Sequence, residues 1–244
     1  MSKNVLIAGK DLPACADFAS SLVLGGNNVA LASSAESGPD YIPEGLSVIE
    51  WNKGSSVSAR SVVLQAETKN GFCDDFIFYF DSAFFASKFK NFSNEICAQA
   101  CDEMITSFQY LTIEALNRIQ QHKTKSRLVF ILKSQPSCRD TALSPNLKSV
   151  VENPSSPLVA AAEAAFANFA ENVAVLSAAD ENLHVLLVSG DEGNEVMQKD
   201  SVFASWLNSY IDSCDNLKNK PGLKVAVNWV KAGAKNPGGF ALFK

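Results

Sequence analysis

Side chains that could do chemistry are few in this sequence of 244 residues, and their spacing does not suggest a metal site. There are two histidines, His122 and His184, and six cysteines that lack the paired spacing of a zinc site. Cys97 and Cys101 share one face of a predicted helix, where free cysteines usually belong to the core. The sequence also lacks a P-loop, a nucleophile elbow and paired carboxylates. It therefore predicts no metal centre.

The composition is that of a folded domain with a large core. Apolar residues make up 47% and charged residues 19% of the chain, which excludes global disorder. The net charge of −5 and the pI of about 5.1 argue against a nucleic-acid partner, since nucleic-acid binders usually carry a basic surface. Because the first residues show no signal-peptide pattern, we expect a reduced, cytoplasmic protein.

Short apolar runs alternate with helical patterns along the chain. Strands are predicted at residues 5–8, 29–32, 46–49, 76–80, 128–132 and 184–188, with a last strand at 223–227, at 240–243 or at both. Helices are predicted around 15–23 and over 55–70, 94–122, 157–178 and 203–214, and 133–156 is predicted as a loop. Apolar strands joined by helices form a parallel sheet covered on both faces. We therefore predict one domain over 1–244, a Rossmann-like, doubly wound α/β fold with three α/β/α layers.

This order of elements resembles the short-chain dehydrogenase/reductase family over about residues 3–190. The long helix, the next strand and loop, and the segment Ala-Ala-Ala-Glu-Ala-Ala-Phe at 160–166 are similar to that family's active-site half. The resemblance implies NAD(H) or NADP(H) as cofactor and hydride transfer to or from carbonyl and alcohol groups. It also implies a catalytic tyrosine and lysine four residues apart, a serine at the end of the preceding strand, and often an asparagine on the long helix.

The cofactor loop that the resemblance implies is altered. Gly9 matches the first of the family's three glycines, whereas Pro13 and Cys15 stand at the second and third. Proline has no N–H for a pyrophosphate and adds a ring where the ligand must come close. We therefore expect no cofactor and interpret Gly9 as a plain strand-to-helix turn. NAD or NADP is the alternative.

Three further positions are candidate cofactor contacts. Ser33 or Ser34 stands where the family places an acidic or basic residue that distinguishes NAD from NADP, and a serine can replace neither. Asp81 lies in the stretch 79–82, which matches the family motif beneath the cofactor. The phenylalanines at 84, 85, 89 and 92 are interpreted as core residues, with filling of the cofactor's ribose space as the alternative.

The catalytic positions of the resembled family are replaced as well. Val159 stands at the place of the tyrosine and Glu163 at that of the lysine, so no group there can protonate an alkoxide as a tyrosine would. Lys133 occupies the place of the catalytic serine, and the next residue, Ser134, is a candidate remnant of it. Residues 104–107 occupy the asparagine region. We therefore predict no catalytic residue.

These losses favour a catalytically degenerate protein that acts as a binding or assembly module. The alternative is a working NAD(P)-dependent oxidoreductase with an atypical active site. A third interpretation is a sensor that binds a small ligand in the crevice at the carboxyl ends of the strands. The fold alone does not separate them, because one fold hosts many functions.

The helix predicted at 157–178 is apolar nearly all round, so it must be buried on more than one side. The sheet covers one side, and we predict a homodimer in which this helix and the helix at 94–122 pair with those of a second copy. The alternative is a monomer in which residues 133–156 fold over these helices. The length of 157–178 would allow a membrane span, but Glu163 and Glu171 interrupt it, so no membrane partner is expected.

Overall fold

The strands of the described chain form one parallel sheet. A computed structural model describes residues 2–34, 42, 44–144, 154–216 and 228–235. In chain order, the strands are β1 (Asn4–Ala8), β2 (Asn28–Ser33), β3 (Leu46–Glu50), β4 (Asp75–Asp81), β5 (Ser126–Ser134), β6 (Leu183–Asp191) and β7 (Val230–Lys231). Their order in the sheet is β3-β2-β1-β4-β5-β6-β7, and every pair is parallel. The order reverses between β1 and β4, as in doubly wound sheets, and the predicted fold class is confirmed.

Helices cover both faces of the sheet. They are α1 (Ala16–Leu24), α2 (Ser56–Asn70), α3 (Ser82–Lys88), α4 (Asn94–Cys101), α5 (Ser107–His122), α6 (Cys138–Leu143), α7 (Pro157–Leu176) and α8 (Asp200–Asn216). Helices α1 and α8 share one core cluster, and α2, α5 and α7 share the other. Because successive strand residues point to opposite faces, Leu6 of β1 enters one cluster and Ile7 enters the other.

Local sequence signals set the ends of α2 and α7. The side chain of Ser55 accepts a hydrogen bond from the Ser58 amide, and Gly71 ends α2 at a φ of 88°. Ser156 caps α7, and Pro157 takes the first helical position, where no N–H is needed. Both helix starts agree with the sequence prediction.

The helical stretch predicted over 94–122 is confirmed in its bounds, but it is not one regular α-helix. A π-helix, Asp102–Thr106, joins α4 to α5. The Thr106 hydroxyl donates to the Asp102 carbonyl at 3.2 Å, and the Ser107 hydroxyl donates to the Glu103 carbonyl at 2.8 Å. Such bonds to carbonyls one turn back accompany local distortion of a helix.

The prediction that Cys101 belongs to the core was wrong. Cys101 is exposed and Cys97 is half-buried. The buried face of α4 contains Ala100 instead, and it continues to Met104 in the π-helix.

One prediction beyond β5 was wrong, and another lies outside the described residues. The segment predicted as a loop over 133–156 contains the end of β5 and the short helix α6, which begins at a capping box of Ser137 and Asp140. Both predicted last strands, 223–227 and 240–243, lie outside the described residues. The described edge strand, β7, pairs with Val188 and Ser189 of β6. With only two residues, β7 is too short to show a strand pattern in the sequence.

By length and composition alone, α7 could cross a membrane. Core helices of soluble proteins meet the same criterion, and the inner face of α7 lies in the core through Val159, Phe166 and Ala170. The outer face includes Ala161 and Ala164, which are exposed in the single chain.

Candidate functional site

Charged side chains converge at the carboxyl edge of the sheet, where β1 and β4 lie side by side and the strand order reverses. This is where open α/β sheets bind their ligands. Lys10 and Asp11 follow β1, Asp81 ends β4, and Lys133 lies near the end of β5. Asp200 reaches the same place from the first residue of α8.

Four of these residues and Tyr79 form what we call the central ion cluster. The Lys10 Nζ lies 2.6 Å from Oδ2 of Asp200 and 3.1 Å from Oδ2 of Asp81. The Lys133 Nζ lies 3.7 Å from the same oxygen of Asp81. The Tyr79 hydroxyl donates to Oδ1 of Asp200 at 3.2 Å. The side chains of Lys10 and Asp81 are only 9% and 3% exposed, so these charges are paired within the protein.

A second group of paired charges, the lateral ion cluster, lies on the other side of the β1 end and consists of Lys53, Asp11, Glu103 and Lys88. Lys53 comes from the loop between β3 and α2. Its Nζ donates to Oδ2 of Asp11 at 2.7 Å and to the Gly9 carbonyl at 3.1 Å. The same Nζ lies 3.8 Å from Glu103 of the π-helix, and Glu103 also binds Lys88 at 2.5 Å. Lys53 and Asp11 are each 3% exposed, so this side of the crevice is also closed by paired charges.

One carboxylate in each cluster is anchored by the backbone, Asp81 in the central cluster and Asp11 in the lateral cluster. Oδ1 of Asp81 accepts from the amides of Ala83 and Phe84, so Asp81 caps α3 while its other oxygen faces Lys10. Oδ1 of Asp11 accepts from the Ser34 amide at 3.1 Å. Each carboxylate is therefore held at one oxygen by the chain and at the other by a lysine.

Burial and charge set the protonation states of the central cluster. Burial by itself would lower the pKa of Lys10, but the carboxylates of Asp81 and Asp200 outweigh it, and the pKa is raised. Burial, and then the same two carboxylates, raise the pKa of Tyr79 well above its usual value. Tyr79 is consequently a neutral hydrogen-bond donor, and Lys10 is a cation. Burial also raises the pKa of Cys15 to about 12, so this thiol is not a nucleophile.

The residues of the cofactor loop do not fit a dinucleotide pyrophosphate. Several amides of the turn donate within the chain: Leu12 to Oγ of Ser33, Cys15 to the Asp11 carbonyl and Ala16 to the Pro13 carbonyl. Pro13 has no amide hydrogen. Three amides of the turn are therefore already used within the chain, and Pro13 contributes none to a bound pyrophosphate.

Gly9 itself is explained by packing. Its φ is +120°, and a Cβ there would lie 2.3 Å from the Tyr79 carbonyl oxygen and 2.9 Å from the Phe108 ring. The glycine lets β1 pass close to β4 and α5. Of the other predicted cofactor positions, Ser33 and Asp81 are buried and bonded within the chain, and the Ser34 amide binds Asp11.

The positions that match the family's catalytic pair lie on the first turns of α7. Val159 is fully buried in the core. Glu163 accepts a hydrogen bond from the Ser82 hydroxyl at 2.6 Å. Ser134 is the last residue of β5 and lies opposite Asp191 of β6, while Lys133 turns to Asp81. The structure thus brings Asp81 and Lys133 together and leaves Val159 and Ser134 outside the ion clusters.

Four members of the site were not predicted from the sequence: Lys10, Asp11, Lys53 and Asp200. A signal existed for two of them, because Lys10 and Asp11 directly follow the glycine that ends a buried strand, where charged residues must find partners. No pattern pointed to Lys53 or Asp200. They are 44 and 190 positions from their partners Gly9 and Lys10.

No family model and no curated protein matches this chain. Solved structures do resemble it. An Aeromonas hydrophila protein assigned to the short-chain dehydrogenase/reductase oxidoreductases is 11% identical with a TM-score of 0.63, covering 95% of this chain and 98% of that one. A Leptospira borgpetersenii short-chain dehydrogenase with bound NAD+ is 12% identical with a TM-score of 0.60, covering 95% and 91%.

A Serratia marcescens short-chain dehydrogenase/reductase is 15% identical with a TM-score of 0.57, covering 85% of this chain and 88% of that one. The chain therefore has the short-chain dehydrogenase/reductase fold. At these identities the likeness extends to the fold alone, and function must be argued from the site.

Proposed function

We propose that this chain is a cytoplasmic binding or assembly module that does not carry out the hydride chemistry of the enzymes whose fold it shares. The observation that carries the proposal is the pair of residues on α7. Val159 is buried and has no proton to transfer, and Glu163 is occupied by the Ser82 hydroxyl. No tyrosine or lysine occurs along α7 to replace them.

The chemistry explains why this pair matters. Reduction of a carbonyl needs a proton donor at the developing alkoxide, and an adjacent cation makes a tyrosine a better donor. Ser82 and Glu163 supply a neutral hydroxyl and an acidic side chain instead. The buried lysines do not substitute for the missing cation, because Lys10 and Lys53 are already paired with carboxylates.

A reductase assay tests this proposal. Purified protein is incubated with NADPH or NADH and a panel of ketones and aldehydes, and oxidation of the cofactor is followed by absorbance. We expect no turnover above that of the Glu163→Gln and Ser82→Ala variants. Robust turnover that either variant abolishes would overturn the proposal and favour an oxidoreductase with an atypical site.

Assembly is the second part of the proposal: a homodimer formed through α4, α5 and α7. Ala161, Ala164 and Val175 on the outer face of α7 are exposed, and Ile113 of α5 is 53% exposed. Small and apolar residues on neighbouring helices allow close packing against a two-fold copy of the same surface. A dimer would remove these side chains from water.

Sedimentation at micromolar concentration tests the dimer. We expect a species of twice the 26.2 kDa chain mass, and a single species at 26.2 kDa would refute the dimer. Ala164→Arg should shift the wild-type dimer to monomer. Ser205→Arg, on the exposed side of α8, is the matched control and should leave the mass unchanged. Circular dichroism of both variants distinguishes dissociation from unfolding.

A further inference from the structure

The carboxylate of Asp200 is bound at the carboxyl edge as an external ligand would be. One oxygen receives the Lys10 ammonium at 2.6 Å, and the other receives the Tyr79 hydroxyl at 3.2 Å. Lys10, in the turn after β1, supplies a charge-assisted hydrogen bond, and Tyr79 of β4 supplies a neutral one. Together they form a receptor for a carboxylate or a phosphate oxygen pair. Asp200 is the group that occupies this receptor.

Asp200 reaches the receptor from outside the sheet. It is the first residue of α8, whose inner face is buried against α1 through Phe203, Leu207 and Ile211. The packing of the helix therefore holds the carboxylate at the strand ends. Because the carboxylate is tethered in place, a free anion in solution competes with it at a disadvantage.

The charge balance of the central ion cluster requires an anion at this position. Lys10 and Lys133 supply two positive charges and Asp81 supplies one negative charge, so Asp200 brings the cluster to neutrality. Without Asp200, a largely buried site would carry one uncompensated positive charge, which is unfavourable.

We propose that Asp200 is a built-in ligand of this anion site and closes the carboxyl edge to nicotinamide dinucleotides. The turn after β1 agrees with this, since its Leu12, Cys15 and Ala16 amides already donate within the chain. The lateral ion cluster closes the other side of the β1 end through Lys53. This inference concerns what the edge can bind, so it goes beyond the proposed loss of catalysis and stands or falls separately from it.

Chemical rescue is the direct experiment. In Asp200→Ala the receptor for a small carboxylate is vacated, and the midpoint of thermal unfolding should fall. Formate should then raise the midpoint of this variant in a saturable way, by about 3–6 °C at ten times its Kd, whereas sodium chloride at equal ionic strength should not. Acetate and inorganic phosphate, being larger, test the size of the receptor.

Two matched proteins complete the experiment. Wild type should show no formate-specific shift, because Asp200 fills the receptor. Asp191→Ala removes an exposed carboxylate from the end of β6 and should also show none. If formate stabilises all three proteins alike, or leaves Asp200→Ala unchanged, Asp200 is not a ligand of an anion site and the proposal is overturned.

Calorimetry on the wild type keeps the proposal testable if Asp200→Ala does not fold. We expect no saturable binding of NADH, NADPH or inorganic phosphate to the native chain. A low-micromolar Kd for NADH, about −8 kcal/mol, would overturn this inference. If such binding came without turnover, the proposed loss of catalysis would still stand. Turnover would overturn that proposal as well.

Discussion

At the carboxyl edge of the sheet, buried lysines meet buried carboxylates, whereas at the amino edge the ion pairs line a cavity. The cavity has a volume of about 520 Å³ and lies beside the starts of β4, β5 and β6. Arg127 and Asp75 form a buried pair at 2.8 Å there. Lys3 binds Asp212 at 2.7 Å and Asp215 at 2.8 Å, but these two acids are 54% and 44% exposed.

The difference comes from the elements that supply the charges. At the carboxyl edge, Lys53 arrives from a loop, Glu103 from the π-helix and Asp200 from the start of α8, and all three fold over the strand ends. At the amino edge, the charges lie at the starts of β4 and β5, on Lys3 just before β1 and on the last turns of α8. The ion pairs of the carboxyl edge are therefore buried, whereas those of the amino edge, apart from Arg127 with Asp75, have partly exposed aspartates.

The two edges should consequently respond differently to the loss of a charge. A buried ion that loses its partner keeps its desolvation penalty without compensation. An ion that loses an exposed partner is rehydrated at little cost. Four predictions test this comparison, beginning with the largest expected effect.

Lys10→Met should destabilise the fold most. It leaves the carboxylates of Asp81 and Asp200 close together and without their shared cation, and breaking a buried pair in this way costs about 3–5 kcal/mol. Urea unfolding followed by circular dichroism measures the loss. Lys90→Met, at an exposed lysine, is the control and should be nearly neutral. Equal losses in the two variants would contradict the burial of the central ion cluster.

Asp200→Asn should cost less than Lys10→Met, about 1–3 kcal/mol, because the amide oxygen can still accept from Lys10 or Tyr79 but brings no charge. The same urea experiment measures it. A loss as large as that of Lys10→Met would mean that the charge of Asp200, and not its hydrogen bonds, provides nearly all of its contribution.

The sheet and most helices could be predicted from the sequence because their signals are local. The apolar run at 76–80 forms the middle of β4, and Ser55 with Gly71 bounds α2. The π-helix could not be predicted, since Met104 and Phe108 keep the spacing of a continuous helical face through it.

The site was harder to predict because its partners are distant in the sequence. Asp81 was a candidate through the family resemblance, but its partner Lys10 was not recognised. Asp200 lies 190 positions from Lys10, and only the packing of α8 on α1 brings them together. Charge pairing across a fold leaves no periodic pattern in the sequence, so this part required the structure.

The pH dependence of stability should differ between the two edges of the sheet. The pKa of Lys10 is raised in the folded state, so its contribution is fully present below its unfolded value of about 10.5 and is lost as the pH rises above it. The pKa of Asp215 is lowered in the folded state despite the opposing effect of burial, because Lys3 and Arg127 bind the carboxylate. Its contribution is present above the unfolded value of 3.8 and is lost as the pH falls below it.

Differences between variants isolate the two effects. The gap in unfolding free energy between wild type and Lys10→Met should be constant from pH 7 to 10 and should narrow above about 10.5. The gap for Asp215→Asn should instead narrow below pH 4. Urea unfolding at these pH values measures both. If the difference in unfolding free energy between wild type and Lys10→Met is unchanged at pH 11, the loss of stability at alkaline pH cannot be assigned to Lys10 at the carboxyl edge.

Lys3→Ala should have the smallest effect. Although Lys3 bonds two aspartates, both partners are about half exposed and can be rehydrated once the ammonium is gone. Surface ion pairs of this kind contribute about 0.2–1 kcal/mol and weaken with salt, so the loss should shrink further in 1 M sodium chloride. Lys125→Ala, at an exposed lysine beside the same cavity, is the matched control. A salt-independent loss comparable to that of Lys10→Met would show that the amino edge is as closed to water as the carboxyl edge, and the contrast between the edges would then fail.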